Sequence, residues 1–148
     1  MTSERKAENK LIDELKKVGL FAYHLDSNSV NGLPDVDVIG KRIIKIEVKY
    51  GPSGGSYPVL LKNILQASQP IYWDAARQAH SHDIYLCVVN AEGRYSLYET
   101  SDVLLGILRG NTATERDLRI VSVNGSPCFT LEPRDMAHKI KELCDRAD

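Results

Sequence analysis

The 148-residue sequence predicts a mixed α/β fold in which helices flank a central mixed β-sheet. Two patterns lead to this prediction. Residues 34–39 and 43–49 alternate polar and apolar side chains around a short turn, as in a β-hairpin with one buried face. Residues 84–89 form a near-continuous apolar run, which is typical of a central strand buried on both faces. Helical patterns precede and follow these strands.

The apolar pattern of the hairpin also predicts its register. Directly opposite residues of an antiparallel pair project from the same face. A two-residue turn would place core side chains on both faces, whereas a three-residue turn, Gly40–Arg42, keeps them on one. Glycine in the first position is unusual for such a turn. This register pairs Asp37 with Lys45. It also places Asp35 opposite Glu47 at one end of the hairpin.

Two opposed carboxylates repel each other, and a divalent cation would remove that cost. Mg²⁺ prefers oxygen ligands and is often bound by one or two carboxylates together with water. Lys49 follows Glu47 on the same face, and an ammonium there could hold an attacking water. These groups suffice for metal-assisted hydrolysis of a phosphodiester. Alternatively, Asp35 merely starts a strand after Pro34, and the other two residues face solvent; their combined spacing favours the metal site.

These residues carry a family resemblance. Pro34-Asp35, followed twelve positions later by Glu47-Val48-Lys49, resembles the PD-(D/E)-x-K signature of the restriction-endonuclease-like nucleases. The surrounding Gly-x-Pro-Asp and Glu-Val-Lys-x-Gly resemble most closely the archaeal-type Holliday junction resolvases and related small phage and bacterial nucleases. The resemblance covers roughly residues 4–90. It implies a single nuclease domain over 1–148, with a restriction-endonuclease-like core at about 4–99 and a C-terminal extension at about 100–148.

The resemblance also implies roles for the site residues. Asp35, Glu47 and the backbone carbonyl of Val48 would bind one or two Mg²⁺ ions, with Mn²⁺ as a substitute. Glu8 would reach the metal through water. Lys49 would position the nucleophile and offset charge in the transition state.

The first predicted helix covers residues 3–18 and contains Glu8. Ser3 is its expected N-cap, and Gly19 its expected end. Glu8 falls on the apolar stripe, where a carboxylate needs a partner. It either reaches the metal's water shell, as the resemblance implies, or lies at the edge of the stripe in an ion pair or in solvent. Glu4 is the second candidate for the helix acid. The stripe consists of Leu11, Ile12, Leu15 and Val18.

A further helix is predicted from about Pro70 to Ala79, with proline at its first position. The resemblance implies a glutamine near its start that reaches the metal-bound water or the phosphate. Gln69 is the better match and Gln66 the second. Both are equally well explained as surface amides or helix caps.

The remaining elements follow from turn and cap signals. Asn124-Gly125 is the strongest turn signal, and it predicts a hairpin around it. The other predicted elements are a strand at 21–25, a short strand or helix start at 57–61, a strand at 94–99, a helix at 102–109, hairpin strands at 117–123 and 127–131, and a helix at about 134–146. The glycine-rich stretch 51–56 is expected to form a flap. The C-terminal extension is expected to contact another subunit, to bind DNA or to complete the hydrophobic core.

Composition limits the class of protein. The net charge is −1, with 19 basic and 20 acidic residues, so this is not a strongly basic DNA-binding protein. Three cysteines without CxxC spacing favour a reducing cytoplasmic location over a disulfide framework or zinc site. No apolar run is long enough to span a bilayer. DNA contacts are therefore expected from a few side chains: Lys10, Asn31, Lys41, Arg42, Lys45 and Lys62.

Three functions remain open from the sequence. The first is a structure-selective endonuclease of the junction-resolving type. The second is a sequence-specific endonuclease of restriction or homing type. The third is a non-catalytic DNA-binding module on the same fold. Because cutting two strands requires two sites, a homodimer or a larger even assembly is expected with DNA.

Overall fold

A computed structural model describes residues 2–25, 32–51, 59–79, 83–101 and 112–146. Within them, the helices are α1 (Ser3–Lys17), α2 (Leu61–Ile64), α3 (Ser68–Gln78), a 3₁₀ turn (Glu115–Asp117) and α4 (Pro133–Asp145). The strands are β1 (Phe21–His24), β2 (Val36–Ile39), β3 (Ile43–Tyr50), β4 (Ile84–Val89), β5 (Tyr95–Glu99), β6 (Ser122–Val123) and β7 (Ser126–Pro127). None of the described helices is long and apolar enough to cross a membrane.

Five strands form the central sheet in the order β1-β2-β3-β4-β5. Strand β2 runs antiparallel to both β1 and β3, and β5 runs antiparallel to β4. Strand β4 is parallel to β3, and the chain between them contains α2 and α3. Every residue of β4 is buried, as expected for a central strand. The mixed sheet flanked by helices confirms the predicted fold class.

The hairpin of β2 and β3 has the predicted register. Asp37 lies opposite Lys45, and Ile39 lies opposite Ile43, so the turn has three residues. Continued by one step past the last paired residues, the same register places Asp35 opposite Glu47.

Packing explains the glycine at the start of this turn. Gly40 does not have a left-handed backbone conformation. A Cβ atom there would lie 2.7 Å from Cβ of Cys144 and 2.9 Å from Cδ2 of Leu20. Glycine is needed because the end of α4 packs directly against the turn.

Two hydrophobic cores cover the two faces of the sheet. The larger lies between the sheet and helices α1 and α4, and the smaller lies on the face of α2 and α3. The C-terminal extension completes the larger core, because the apolar face of α4 is fully buried there. The buried residues of α4 are Met136, Ala137, Ile140, Leu143 and Cys144.

Several predicted boundaries were wrong. Thr2, not Ser3, caps α1, because its Oγ1 accepts a hydrogen bond from the backbone N–H of Arg5. Helix α3 starts at Ser68, so Pro70 lies at its third position and not its first. Of the two alternatives predicted for 57–61, the helix start is confirmed, because Leu61 begins α2. Strand β5 begins one residue late, at Tyr95.

The C-terminal hairpin is much shorter than predicted. Its turn is confirmed, since Asn124 and Gly125 both have positive φ values, of 53° and 79°. The strands, however, have two residues each, because the flanking chain pairs with β5: Ile120 bridges to Tyr98, and Leu131 to Tyr95. Asn31, the predicted helix at 102–109 and most of the predicted flap lie outside the described residues.

Candidate active site

Glu47 is the unusual residue of the sheet. It lies in the middle of β3 with 0% exposure, and neither carboxylate oxygen has a hydrogen-bond partner among the described residues. Nζ of Lys49 is 3.9 Å from its Oε2. Burial and the neighbouring Asp35 carboxylate raise the pKa of Glu47 to about 10, against the opposing effect of Lys49. A buried acid with unpaired oxygens beside a second acid suits a bound cation.

Asp35 is fixed by the backbone of β3. Its Oδ2 accepts a hydrogen bond of 3.0 Å from the backbone N–H of Val48. The N–H and C=O groups of one strand residue point to the same side. The carbonyl of Val48 therefore points to the side on which Asp35 lies, just past the end of the β2–β3 ladder.

This donor set fits Mg²⁺. No group of three or more histidine, cysteine or acidic side chains that could hold a metal occurs among the described residues. The available ligands are instead two carboxylates and a backbone carbonyl. Mg²⁺ takes oxygen ligands and usually keeps several waters, so one or two carboxylates suffice. The unpaired, buried oxygens of Glu47 are the observation that supports this fit.

Glu8 is buried, with 4% exposure, and it has a protein partner. Its Oε1 is in hydrogen-bond contact with Nδ1 of His24 and lies 3.4 Å from a guanidinium nitrogen of Arg5. Burial and the Asp35 carboxylate raise the pKa of Glu8, and His24 and Arg5 act in the opposite direction. Glu8 thus lies within electrostatic range of Asp35, although it comes from the helix on the opposite face of the sheet.

Sequence reasoning missed His24. The signal was present, because alternation along β1 places His24 on the same face as the core residue Ala22, which is the face that α1 covers. Glu8 on the buried stripe of α1 needed a partner on that face.

Lys49 is held between two carboxylates. Its side chain is largely buried, and Nζ lies 3.8 Å from Oε1 of Glu4 as well as 3.9 Å from Glu47. Both candidate acids of α1 therefore reach the site, Glu4 through Lys49 and Glu8 beside Asp35.

Gln69 acts as a local cap in this structure. Its Oε1 accepts a 2.9 Å hydrogen bond from the backbone N–H of Gln66 at the start of α3. The start of α3 also touches the loop before Asp35, where Gly32 has a φ of +78°. A Cβ on Gly32 would lie 2.1 Å from the carbonyl oxygen of Ser68, so this close approach requires glycine. Gln69 is thus near the site loop, and its carbonyl oxygen is already used.

The predicted DNA-contacting cations differ in their surroundings. The guanidinium of Arg42 donates from Nε to the carbonyl of Leu143 at 3.0 Å. Nζ of Lys45 donates to Asp37 at 2.7 Å, and Asp37 also accepts from the hydroxyl of Tyr23. Three further lysines are exposed to solvent: Lys10, Lys41 and Lys62.

Comparison with solved structures adds a distant likeness. No protein-family model and no curated protein matches the chain. Among solved structures, the fold aligns with Hjc from Archaeoglobus fulgidus, a Holliday junction resolvase from an archaeal hyperthermophile. The alignment covers 67% of this chain and 74% of that chain, at 20% identity and a TM-score of 0.49. A likeness at this level carries no functional argument, so the case for function rests on the chain's own residues.

Proposed function

We propose that this protein is a metal-dependent DNA endonuclease that hydrolyses phosphodiester bonds. The observation that carries the proposal is the Glu47 carboxyl, which is fully buried, unpaired by hydrogen bonds among the described residues, and adjacent to Asp35. A sheet protein has no structural reason to bury one carboxyl completely beside a second, half-buried one. A bound cation supplies that reason, and Lys49 at 3.9 Å supplies the remaining group.

Each residue has a role in this mechanism. Asp35, Glu47 and the carbonyl of Val48 would hold Mg²⁺, for which Mn²⁺ substitutes, and the metal supplies Lewis-acid polarisation of the phosphate. Glu8 orients the attacking water. Lys49 positions that water and stabilises the charge that develops on the pentacovalent phosphate oxygens. The partial burial of the site strengthens these electrostatic effects relative to open water.

An open groove on the α1 side of the sheet offers a path for DNA. Lys6, Lys10 and Tyr50 line this groove, which has a volume of about 410 Å³. Tyr50 directly follows Lys49, so the two residues lie at the same end of β3. Lysines can contact phosphates, and an exposed tyrosine ring can stack on a base. Binding is expected to be weak and sensitive to salt, because the chain carries a net charge of −1.

The other predicted DNA contacts differ in whether their side chains are free to reach a phosphate. Lys41 and Lys62 are exposed and remain candidates for phosphate contact, as does Asn31 outside the described residues. Arg42 and Lys45 would have to share or leave their present protein partners.

The same proposal includes a homodimer or larger even assembly, which would bring two sites to one DNA molecule. The three buried free cysteines support a reducing compartment.

The substrate class is proposed from the motif. The Gly-x-Pro-Asp and Glu-Val-Lys-x-Gly sequences favour a structure-selective enzyme that cuts branched DNA. A sequence-specific endonuclease is the alternative, since the same site serves either substrate. A non-catalytic module is less favoured, because Asp35, Glu47 and Lys49 are all present and close together.

A substrate panel tests the proposal. Wild type and Asp35→Ala would be incubated with a four-way junction, linear genomic duplex and single-stranded DNA, each with Mg²⁺ and with EDTA. We expect Mg²⁺-dependent cutting of the junction that the substitution abolishes. Discrete bands from linear duplex would instead support the sequence-specific alternative. Binding without any cutting would overturn the proposed activity.

A further inference from the structure

The partner of Glu8 is the starting observation. Nδ1 of His24 contacts Oε1 of Glu8, and both side chains lie at the end of β1 nearest the site. An ionised carboxylate can only accept hydrogen bonds, so Nδ1 is the donor whenever Glu8 is ionised. The His24 side chain is 31% exposed, whereas the Glu8 side chain is 5% exposed. The histidine therefore lies between a buried acid and solvent.

The same strand end also holds Asp35. The backbone N–H of Leu25, the residue after His24, donates to the backbone carbonyl of Asp35 at 2.8 Å. The end of β1 is thus bonded to Glu8 through a side chain and to Asp35 through the backbone. The end of β1 therefore positions both the Glu8 side chain and the backbone of Asp35.

A second side chain, that of Arg5, also touches Glu8 but is poorly suited to orient it. The guanidinium of Arg5 is 3.4 Å from the same oxygen, and its side chain is 51% exposed. A long, exposed side chain at that distance restricts a carboxylate little. His24 is shorter, less exposed and anchored in a strand.

We propose that His24 is a positioning residue that, through its Nδ1–H, holds the Glu8 carboxylate in the orientation required at the site. The inference rests on the proposed function, in which Glu8 orients the attacking water. His24 itself touches neither the water nor the phosphate. Loss of such an outer partner typically costs roughly 10- to 100-fold in activity or metal affinity.

Two amide substitutions separate this role from DNA contact. In His24→Asn the amide nitrogen lies near the position of Nδ1, and in His24→Gln it lies near that of Nε2. We expect His24→Asn to keep activity within about threefold of wild type, and His24→Gln and His24→Ala to lose roughly 10- to 100-fold in kcat with KM unchanged. The reverse order of the two amides, or a loss confined to KM, would overturn the proposal.

A double-mutant cycle tests whether His24 acts through Glu8. His24→Ala should lower kcat in wild type and have no further effect in a Glu8→Gln background. Additive losses would contradict the inference. Glu14→Gln is the matched control, because Glu14 is another largely buried acid of α1 whose partner, Lys17, lies 3.1 Å away from it. This control should leave kcat unchanged and should not couple to His24.

An imidazole ¹⁵N spectrum gives a readout that needs no nuclease activity. In its neutral form, the His24 ring of wild type should show the Nδ1–H tautomer, and Glu8→Ala should shift the ring toward the Nε2–H form. An Nε2–H ring in wild type, or an unchanged ring in Glu8→Ala, would refute the contact. If wild type cuts no DNA, the proposed function fails, and this spectrum still decides whether His24 holds Glu8.

Discussion

Replacing Glu47 by glutamine is expected to stabilise the metal-free protein. Burial and then Asp35 raise the pKa of Glu47 from its ordinary value of 4.5 to about 10. Because the folded-state pKa is the higher one, folding takes up a proton, and stability falls as the pH rises between these two values. At pH 7 this effect makes the folded protein about 3 kcal/mol less stable than at low pH, where Glu47 is protonated in both the folded and the unfolded state. Each further pH unit lowers the stability by about 1.4 kcal/mol more. Glutamine does not titrate and avoids this cost.

Urea denaturation in EDTA measures the difference. The free energy of unfolding of wild type and Glu47→Gln would be compared near pH 5, 7 and 8. We expect an advantage for the variant of below about 1 kcal/mol at pH 5, which then widens with pH. Mg²⁺ should stabilise wild type and leave the variant unchanged, because a ligand stabilises only the state that binds it. A gap that does not change with pH, or a variant less stable than wild type at pH 7, would refute the reasoning.

Three further outcomes are expected. Lys49→Gln should lower the rate of single-turnover cleavage by about 10²–10³-fold, because the ammonium stabilises charge that develops in the transition state. The affinity for Mn²⁺ should stay near that of wild type. Cleavage at the wild-type rate would remove Lys49 from the mechanism. Gly40→Ala should lower the free energy of unfolding, measured in urea, by about 1–3 kcal/mol, since the new Cβ would lie 2.7 Å from Cβ of Cys144. A variant as stable as wild type would show that the turn can relax. Gln69→Ala should cost about 1 kcal/mol of stability by removing the cap on Gln66, with cleavage within about threefold of wild type; a large loss of cleavage without destabilisation would instead favour the direct role.

The hairpin was predictable because its chemistry is local. The alternation of polar and apolar residues shows which side chains of each strand face the core. Only a three-residue turn keeps these side chains of both strands on one face, and this register places Asp35 opposite Glu47. The buried run of β4 was equally clear. The fold class follows from these two features together.

Features that depend on distant contacts were not predictable. The end of α4 requires a glycine at position 40, and this contact joins residues about a hundred positions apart. The short C-terminal hairpin has the same cause, because β5 competes for the backbone groups that flank the turn. Local turn chemistry identified Asn124-Gly125 correctly and could not give the strand lengths.

The candidate site was predicted in part. The sequence identified the two opposed acids and Lys49, because they lie on one hairpin. It named Glu8 and Glu4 as alternatives, whereas in the structure both approach the site. His24 was missed because its role appears only when two local patterns are combined, the alternation along β1 and the buried stripe of α1 that contains Glu8.

Cleavage by two matched aspartate variants shows whether Asp35 belongs to a Mg²⁺-dependent active site. Asp35 and Asp37 project from the same face of the hairpin, but Asp37 bonds to Lys45 and Tyr23, away from Glu47. Single-turnover cleavage would be measured for wild type, Asp35→Asn and Asp37→Asn over a Mg²⁺ titration. We expect cutting to require Mg²⁺, to be abolished in Asp35→Asn and to persist in Asp37→Asn. Cutting in EDTA, or equal losses in the two variants, would contradict this assignment.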